Sequence, residues 1–185
     1  MNDNSHLPSE ISTFSKQSWW KTKSGTDNKN LRFAPLNPVQ ERDFYLDCYA
    51  DAWLESNGSL EGFNPEHYYI RAVEHGKTSA EALMKAMIGD DTAGVIELNP
   101  RRGLEQNYGW ITLCYMLPEY RNQGLGVQLI GHAVSFYRRR GRTAIRLTVS
   151  QLNTRAISFY RRYGFKDIGL ETGIQSMLIL MEKKI

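Results

Sequence analysis

The chain's clearest chemistry lies in Tyr115-Met116-Leu117-Pro118-Glu119-Tyr120-Arg121-Asn122-Gln123-Gly124-Leu125-Gly126. Its apolar start reads as the end of a strand, and the stretch after Gly126 reads as a long helix. Gly124 and Gly126 carry no side chain where a ligand must approach the backbone. The first N–H groups of a helix have no acceptor within the helix and sit at the positive end of its dipole. These N–H groups, beside Gly124 and Gly126, are therefore expected to form an anion site, best suited to a pyrophosphate. No Gly-Lys-Ser/Thr comes after them, so this is not a Walker loop, and the three glycines of GxGxxG are absent.

A second group lies further along: Leu147-x-Val149, then Asn153-x-x-Ala156-x-x-Phe159-Tyr160-x-x-Tyr163-Gly164-Phe165. Together, Pro118-x-x-Arg121-x-x-Gly124-x-Gly126 and the segment Asn153 to Phe165 resemble the GNAT acyltransferase superfamily. The resemblance spans roughly residues 31–183, with its specific motifs at about 113–165. It implies that the backbone N–H groups of Arg121 to Gly126 hold the pyrophosphate of acetyl-CoA. It implies that the backbone of Tyr115, Met116 and Leu117 pairs with the pantetheine arm like an added strand, where that strand splays from its neighbour. Asn153 matches a side chain that touches the same arm. Tyr160 matches a tyrosine near the thioester sulfur, the candidate acid for the departing thiolate, against the alternative that Phe159-Tyr160 is simply the core face of an amphipathic helix. Arg155, Arg161 and Arg162 become candidates for the 3′-phosphate.

Acetyl transfer also needs a polarised thioester carbonyl and a neutral amine. A backbone N–H near Met116 or Leu117 is the candidate for the first. For the second, relatives often carry an acid or a histidine on the strand before the loop, but Tyr108 to Leu117 has no Asp, Glu or His. Glu97, on the preceding strand, is the remaining candidate base, acting through a water, against the alternative of an exposed strand carboxylate. Cys114 reads as a small buried strand residue rather than an acyl carrier. His67 and His75 read as surface histidines. No spacing points to a metal.

Periodicity and breakers set out the surrounding elements. Leu31 to Leu36 reads as a strand ended by prolines. Val39 to Ser56 reads as a helix stopped by Asn57-Gly58, and Pro65 to His75 as a helix capped by Asn64 and ended by Gly76. Strands are expected at 82–88 and 92–98 around a hairpin turn, and at 108–117. A helix over 125–140, a strand over 143–149, a helix over 153–163 and strands at 165–169 and 176–182 complete the pattern. This predicts an α/β (α+β) domain over residues 31–185: a mixed, mostly antiparallel sheet of six to seven strands flanked by about four helices. Residues 1–30 are polar and read as a flexible lead-in, with Trp19-Trp20 either docking it on the domain or covering a ligand cleft.

Charge is uneven. Residues 119–163 carry nine arginines against one acid, Glu119, a balance of +8 in a chain whose net charge is +3. That block predicts a phosphate partner or a solvated helix face. Arg138-Arg139-Arg140-Gly141-Arg142 ends a helix, where cations suit the dipole, so no nucleic acid is needed to explain it. Residues 39–66 hold seven acids against Arg42. Asp43, Asp47, Asp51 and Glu55 recur every fourth residue, which predicts either an acidic border that concentrates a cationic amine or a solvated face. No apolar run reaches the ~20 residues of a membrane span, and two cysteines offer no disulfide framework. A cytoplasmic protein is expected, monomer or homodimer.

The activity expected is an acetyl-CoA-dependent N-acetyltransferase acting on a primary amine of a small molecule. The alternatives are a protein or peptide N-acetyltransferase and a non-catalytic acyl-CoA-binding module.

Overall fold

The computed structural model describes residues 30–185. Trp19-Trp20 and almost all of the polar lead-in lie outside the described residues. The chain runs β1 (Arg32–Pro35), α1 (Arg42–Asn57), α2 (Pro65–Thr78), β2 (Leu83–Ile88), β3 (Asp91–Asn99) and β4 (Tyr108–Met116). It continues through α3 (Gly126–Arg138), β5 (Ala144–Ser150), α4 (Thr154–Arg162), β6 (Lys166–Thr172) and β7 (Met177–Lys184). Single 3-10 turns occupy Ala80–Ala82 and Pro118–Tyr120.

Local chemistry sets most boundaries. The Asn37 side chain accepts from the N–H groups of Val39 and Gln40, and the Glu41 carboxylate accepts from Asn37 N, so the chain enters α1 through a closed turn. This delays α1 by three residues relative to the expected start. Gly58, at φ 78°, closes it by donating to Leu54 O, as a left-handed residue after a helix does. Asn64 caps α2 by accepting from His67 N at 3.1 Å. Gly76 does not end α2, which runs on to Thr78. An interior glycine costs a helix about 1 kcal/mol, too little to break one that packs well.

The seven strands form one sheet in the order β1-β2-β3-β4-β5-β7-β6. All pairs are antiparallel except β4 with β5, and that pair is short. It joins only Tyr108, Gly109 and Trp110 to Ala144, Ile145 and Arg146. Immediately beyond, β4 has a bulge: Glu97 faces Leu113 and Leu98 faces Ile111, so Thr112 is the extra residue. A bulge bends its strand and increases twist. From there to Met116, β4 leans away from β5 and the sheet opens into a wedge.

Each face of the sheet has its own core. One gathers Leu129, Ala133 and Phe136 of α3 and Ile157 and Tyr160 of α4 over Ile96, Leu98, Ile145 and Leu147. The other gathers Tyr45, Leu46 and Cys48 of α1 and Tyr68 and Ala72 of α2 over Leu83, Val95, Leu113 and Tyr115. Successive strand residues face opposite sides, so Glu97, between Ile96 and Leu98, points into the α1–α2 core.

Candidate acyl-transfer site

A cavity of about 1010 Å³ fills the wedge between β4 and β5. It reaches from the turn before α3, through Tyr160 on α4, to Tyr68 and Arg71 on α2. Pockets for small ligands run ~300–1,000 Å³, so this one has room for a large ligand with a small one beside it.

At one end, α3 begins with no side chain capping its N–H groups. The turn before it holds two left-handed residues, Asn122 at φ 60° and Gly124 at φ 75°. A Cβ on Gly124 would meet nothing within 4 Å, so the empty side of that turn faces the cavity, which Gly124 lines. Gly126 has a different reason: a Cβ there would lie 3.2 Å from the Phe159 ring. It lets α3 and α4 approach rather than clearing space for a ligand. Asn122, Leu125 and Gly126 also line the cavity. Gln123 does not; its amide donates to Glu119 O at 2.8 Å.

The Arg121 side chain turns away from the anion end. Its Nε donates to Met116 O at 2.7 Å, its Nη2 to Asp51 at 2.8 Å, and its Nη1 to Glu55. Asp51 also accepts from the Tyr115 hydroxyl at 2.6 Å, and Glu55 from Arg155 at 2.5 Å. These bonds tie the loop, β4 and α4 to α1. They also absorb Asp51 and Glu55, half of the acidic stripe expected to border a cationic acceptor. Arg42 lies 3.7 Å from Asp43 of the stripe, and outside it Lys85 pairs with Glu41 and Arg42 with Glu66.

The ladder decides which peptide groups of β4 face the wedge. Leu117 N donates to Ala93 O at 2.9 Å, so Leu117 cannot polarise a ligand carbonyl. In an antiparallel pair the residues bonded to the partner alternate with those turned away. Leu117 and Tyr115 point to β3, and Cys114 and Met116 turn to the β5 side. The Met116 carbonyl is already taken by Arg121, which leaves the Met116 N–H and both groups of Cys114 on the open edge.

Tyr160 lines the cavity, only 9% exposed, with the Cys114 thiol beside it. Burial, with that thiol beside it, holds the Tyr160 phenol well above its ordinary pKa. Burial pushes the Cys114 thiol up to about 12, so it stays protonated at neutral pH and is a poor nucleophile. Asn153 also lines the cavity, but as the N-cap of α4: its Oδ1 accepts from Ala156 N at 3.0 Å and its amide donates to Ser56. Of the candidate arginines, Arg155 and Arg162 line the cavity. Arg161 does not; it pairs with Asp167 at 2.6 Å.

Glu97 is neither an exposed carboxylate nor part of the cavity wall. It is fully buried, and four hydrogen bonds from three side chains surround it. Tyr45 donates at 2.8 Å, Arg71 through Nε and Nη2 at 3.2 and 3.3 Å, and His75 Nδ1 at 2.7 Å. Burial alone would raise its pKa; the bonds from His75 and Arg71 outweigh that and hold it below the ordinary value. His75 is thus a core residue at 7% exposure, not a surface one. The sequence held a cue, since His75 lies eight positions after His67 and four after Arg71 on one helix, yet nothing local reveals a partner on a distant strand.

Helices on both faces of a sheet split at a parallel pair, with an uncapped helix start opening on the split, form a cleft that can hold an anion at one end. The description "Acetyltransferase (GNAT) family" matches residues 39–165, and the chain belongs to that family. No curated protein matches it. Among solved structures it is similar to the PaiA N-acetyltransferase of Thermoplasma acidophilum, crystallised in complex with coenzyme A. That similarity has TM-score 0.58 and 22% identity over 84% of this chain and 99% of the other. It is also similar to Ard1 of Thermoplasma volcanium, with TM-score 0.64 and 19% identity over 84% of this chain and 97% of the other. Nourseothricin acetyltransferase shares 28% identity over 55% of this chain and 64% of its own, with TM-score 0.51.

Proposed function

We propose that residues 31–185 form one domain that transfers the acetyl group of acetyl-CoA to the primary amine of a small molecule by direct attack on the thioester. One observation carries the small-molecule reading: the loop between α1 and α2 and the turn between β6 and β7 meet across the acceptor end. Gln175 bonds the Ser59 hydroxyl at 3.2 Å and also donates to Glu61 O. Ile174 sits where a Cβ on Gly62 would be, its Cγ2 only 2.7 Å from that point. A bridge there narrows the groove that an extended peptide would need. Initial rates with small primary amines should exceed those with hexapeptide N-termini and lysine side chains by about 10²-fold in kcat/KM, since a peptide must first displace the bridge. Faster peptide acetylation would overturn this reading.

The residues fit acetyl-CoA. The open side of Gly124 and the uncapped N–H groups of α3 suit the pyrophosphate. The open edge of β4 at Cys114 and Met116 suits the pantetheine amides. The Met116 N–H polarises the carbonyl as negative charge grows on its oxygen. Tyr160, held in its protonated form by burial, donates to the departing sulfur. Glu97 holds Arg71 against the cavity wall rather than taking a proton. His67 lines the cavity, where Glu97 does not, so it replaces Glu97 as the acceptor of the amine proton.

The cavity also sorts the arginines. Arg162→Ala should weaken CoA binding by about tenfold and leave dephospho-CoA nearly unchanged, because one charge-assisted contact to the 3′-phosphate is lost. Arg161→Ala should change neither affinity. Equal losses for both ligands in Arg162→Ala, measured by calorimetry, would move the phosphate contact elsewhere.

A further inference from the structure

Two polar atoms among the described residues are buried with no partner: the indole Nε1 of Trp53 and the hydroxyl of Thr112. Both residues line the cavity. A buried donor left unbonded is rare and costly, and in a binding cleft it marks a place for a ligand's acceptor. Trp53 lies at the α1–α2 end, its ring 5.9 Å from that of Tyr68. Arg71 lies on the same tyrosine, its guanidinium 4.9 Å from the ring centre. Glu97 uses two of the five N–H groups that a guanidinium offers, Nε and one on Nη2, which leaves three. Tyr49 stacks on Tyr68 at 4.2 Å, so these donors rise beside a flat aromatic wall.

Resting on the acetyltransferase reading above, we infer that the acceptor carries a planar oxygen group, a carboxylate or an amide carbonyl, next to the amine that is acetylated, and that Trp53 and Arg71 bind it. Ionised Glu97 offsets the charge of Arg71, so this subsite selects for hydrogen-bond acceptors, not for net charge. An ammonium group there would face only donors. Two acids of the α1 stripe, Asp51 and Glu55, are bound to arginines and so do not draw a polycation. A simple alkylamine would leave the Trp53 N–H unbonded in the complex and lose about 10–100-fold in affinity.

The test uses products, so it reads binding without turnover. N-acetylphenylalanine, N-acetylphenylalaninamide and N-acetylphenethylamine share the amide and the ring, which suits the tyrosine wall, and differ only in the oxygen group. Calorimetry on the full chain with CoA bound should show the acid, the carboxamide or both at least tenfold tighter than the phenethylamine. Which of the two binds tighter identifies the group. Trp53→Phe and Arg71→Lys should each shrink the preference to about threefold or less while CoA affinity holds. Equal affinities for the three compounds, no binding by any of them, or a preference that survives both substitutions would overturn the inference. Loss of CoA binding by the unaltered chain would instead strike the acetyltransferase reading itself.

Discussion

Tyr160→Phe lowers kcat and kcat/KM together by about 10²–10³-fold, the pattern of a contact made only in the transition state. Burial keeps the Tyr160 phenol protonated at any pH where the enzyme works. A simple acid with so high a pKa would not surrender its proton fully to a thiolate, whose own acid has pKa ~8.5 in cysteine-like models. Its strength lies in donating a hydrogen bond to sulfur as the charge arrives. Phenylalanine keeps the ring, which packs edge-on against Phe159 and Phe165, and removes only the donor. Acetyl-CoA affinity should hold, because the phosphate and pantetheine contacts are mainly backbone. Melting temperature should fall little, since phenylalanine keeps the ring packing against Phe159 and Phe165. Near-normal kcat in this variant would retire Tyr160 and leave solvent as the proton source.

Glu97→Ala destabilises the fold by about 3–5 kcal/mol, because it strands the Arg71 charge and the His75 and Tyr45 donors in the core. For a domain of this size that lowers Tm by on the order of 10 °C. The pH dependence has a definite sign. Glu97 is held below its ordinary value when folded, so its contribution is complete above the ~4.3 of an unfolded glutamate and is lost as pH falls through the folded value. Wild-type protein should therefore lose stability more steeply below about pH 4.3 than Glu97→Ala does. Replacing Glu97 and Arg71 together with methionine should recover part of the loss, since a buried pair is expensive to desolvate. Urea unfolding of the three proteins across pH checks all of this. Little stability loss in Glu97→Ala would show that the cluster is not the pin that structure and charge make it.

The sequence carried the strand, turn and helix around Gly124 well, because left-handed backbone and a helix start leave local signatures. It also carried the element order, since alternation and helical spacing are properties of neighbours along the chain. It did not carry the wedge: the bulge at Thr112 depends on how β3 and β4 register, which no local pattern encodes. The two glycines looked alike and serve different ends, one open to the cavity and one against Phe159. Glu97 and His75 looked like unrelated residues because their meeting, with Arg71 between them in sequence, needs α2 laid over β3. The acidic stripe on α1 was legible as a pattern but not in meaning, since its partners Arg121 and Arg155 lie 66 and 100 residues away. The extra length of β6 was hidden by its exposed, irregular edge.

The measurement that bears most directly on acetyl transfer counts two products in one reaction: free thiol released from acetyl-CoA and N-acetylated amine, across a panel of small primary amines. An acetyltransferase of this kind gives one thiol for each acetylated amine with at least one acceptor, and loses both in Gly124→Trp, whose side chain fills the open side of the turn that cradles the pyrophosphate. Acetyl-CoA that binds yet yields no thiol with any amine would make the chain a binding module, and thiol released without an acetylated amine would make it a thioester hydrolase; either result contradicts transfer to an amine.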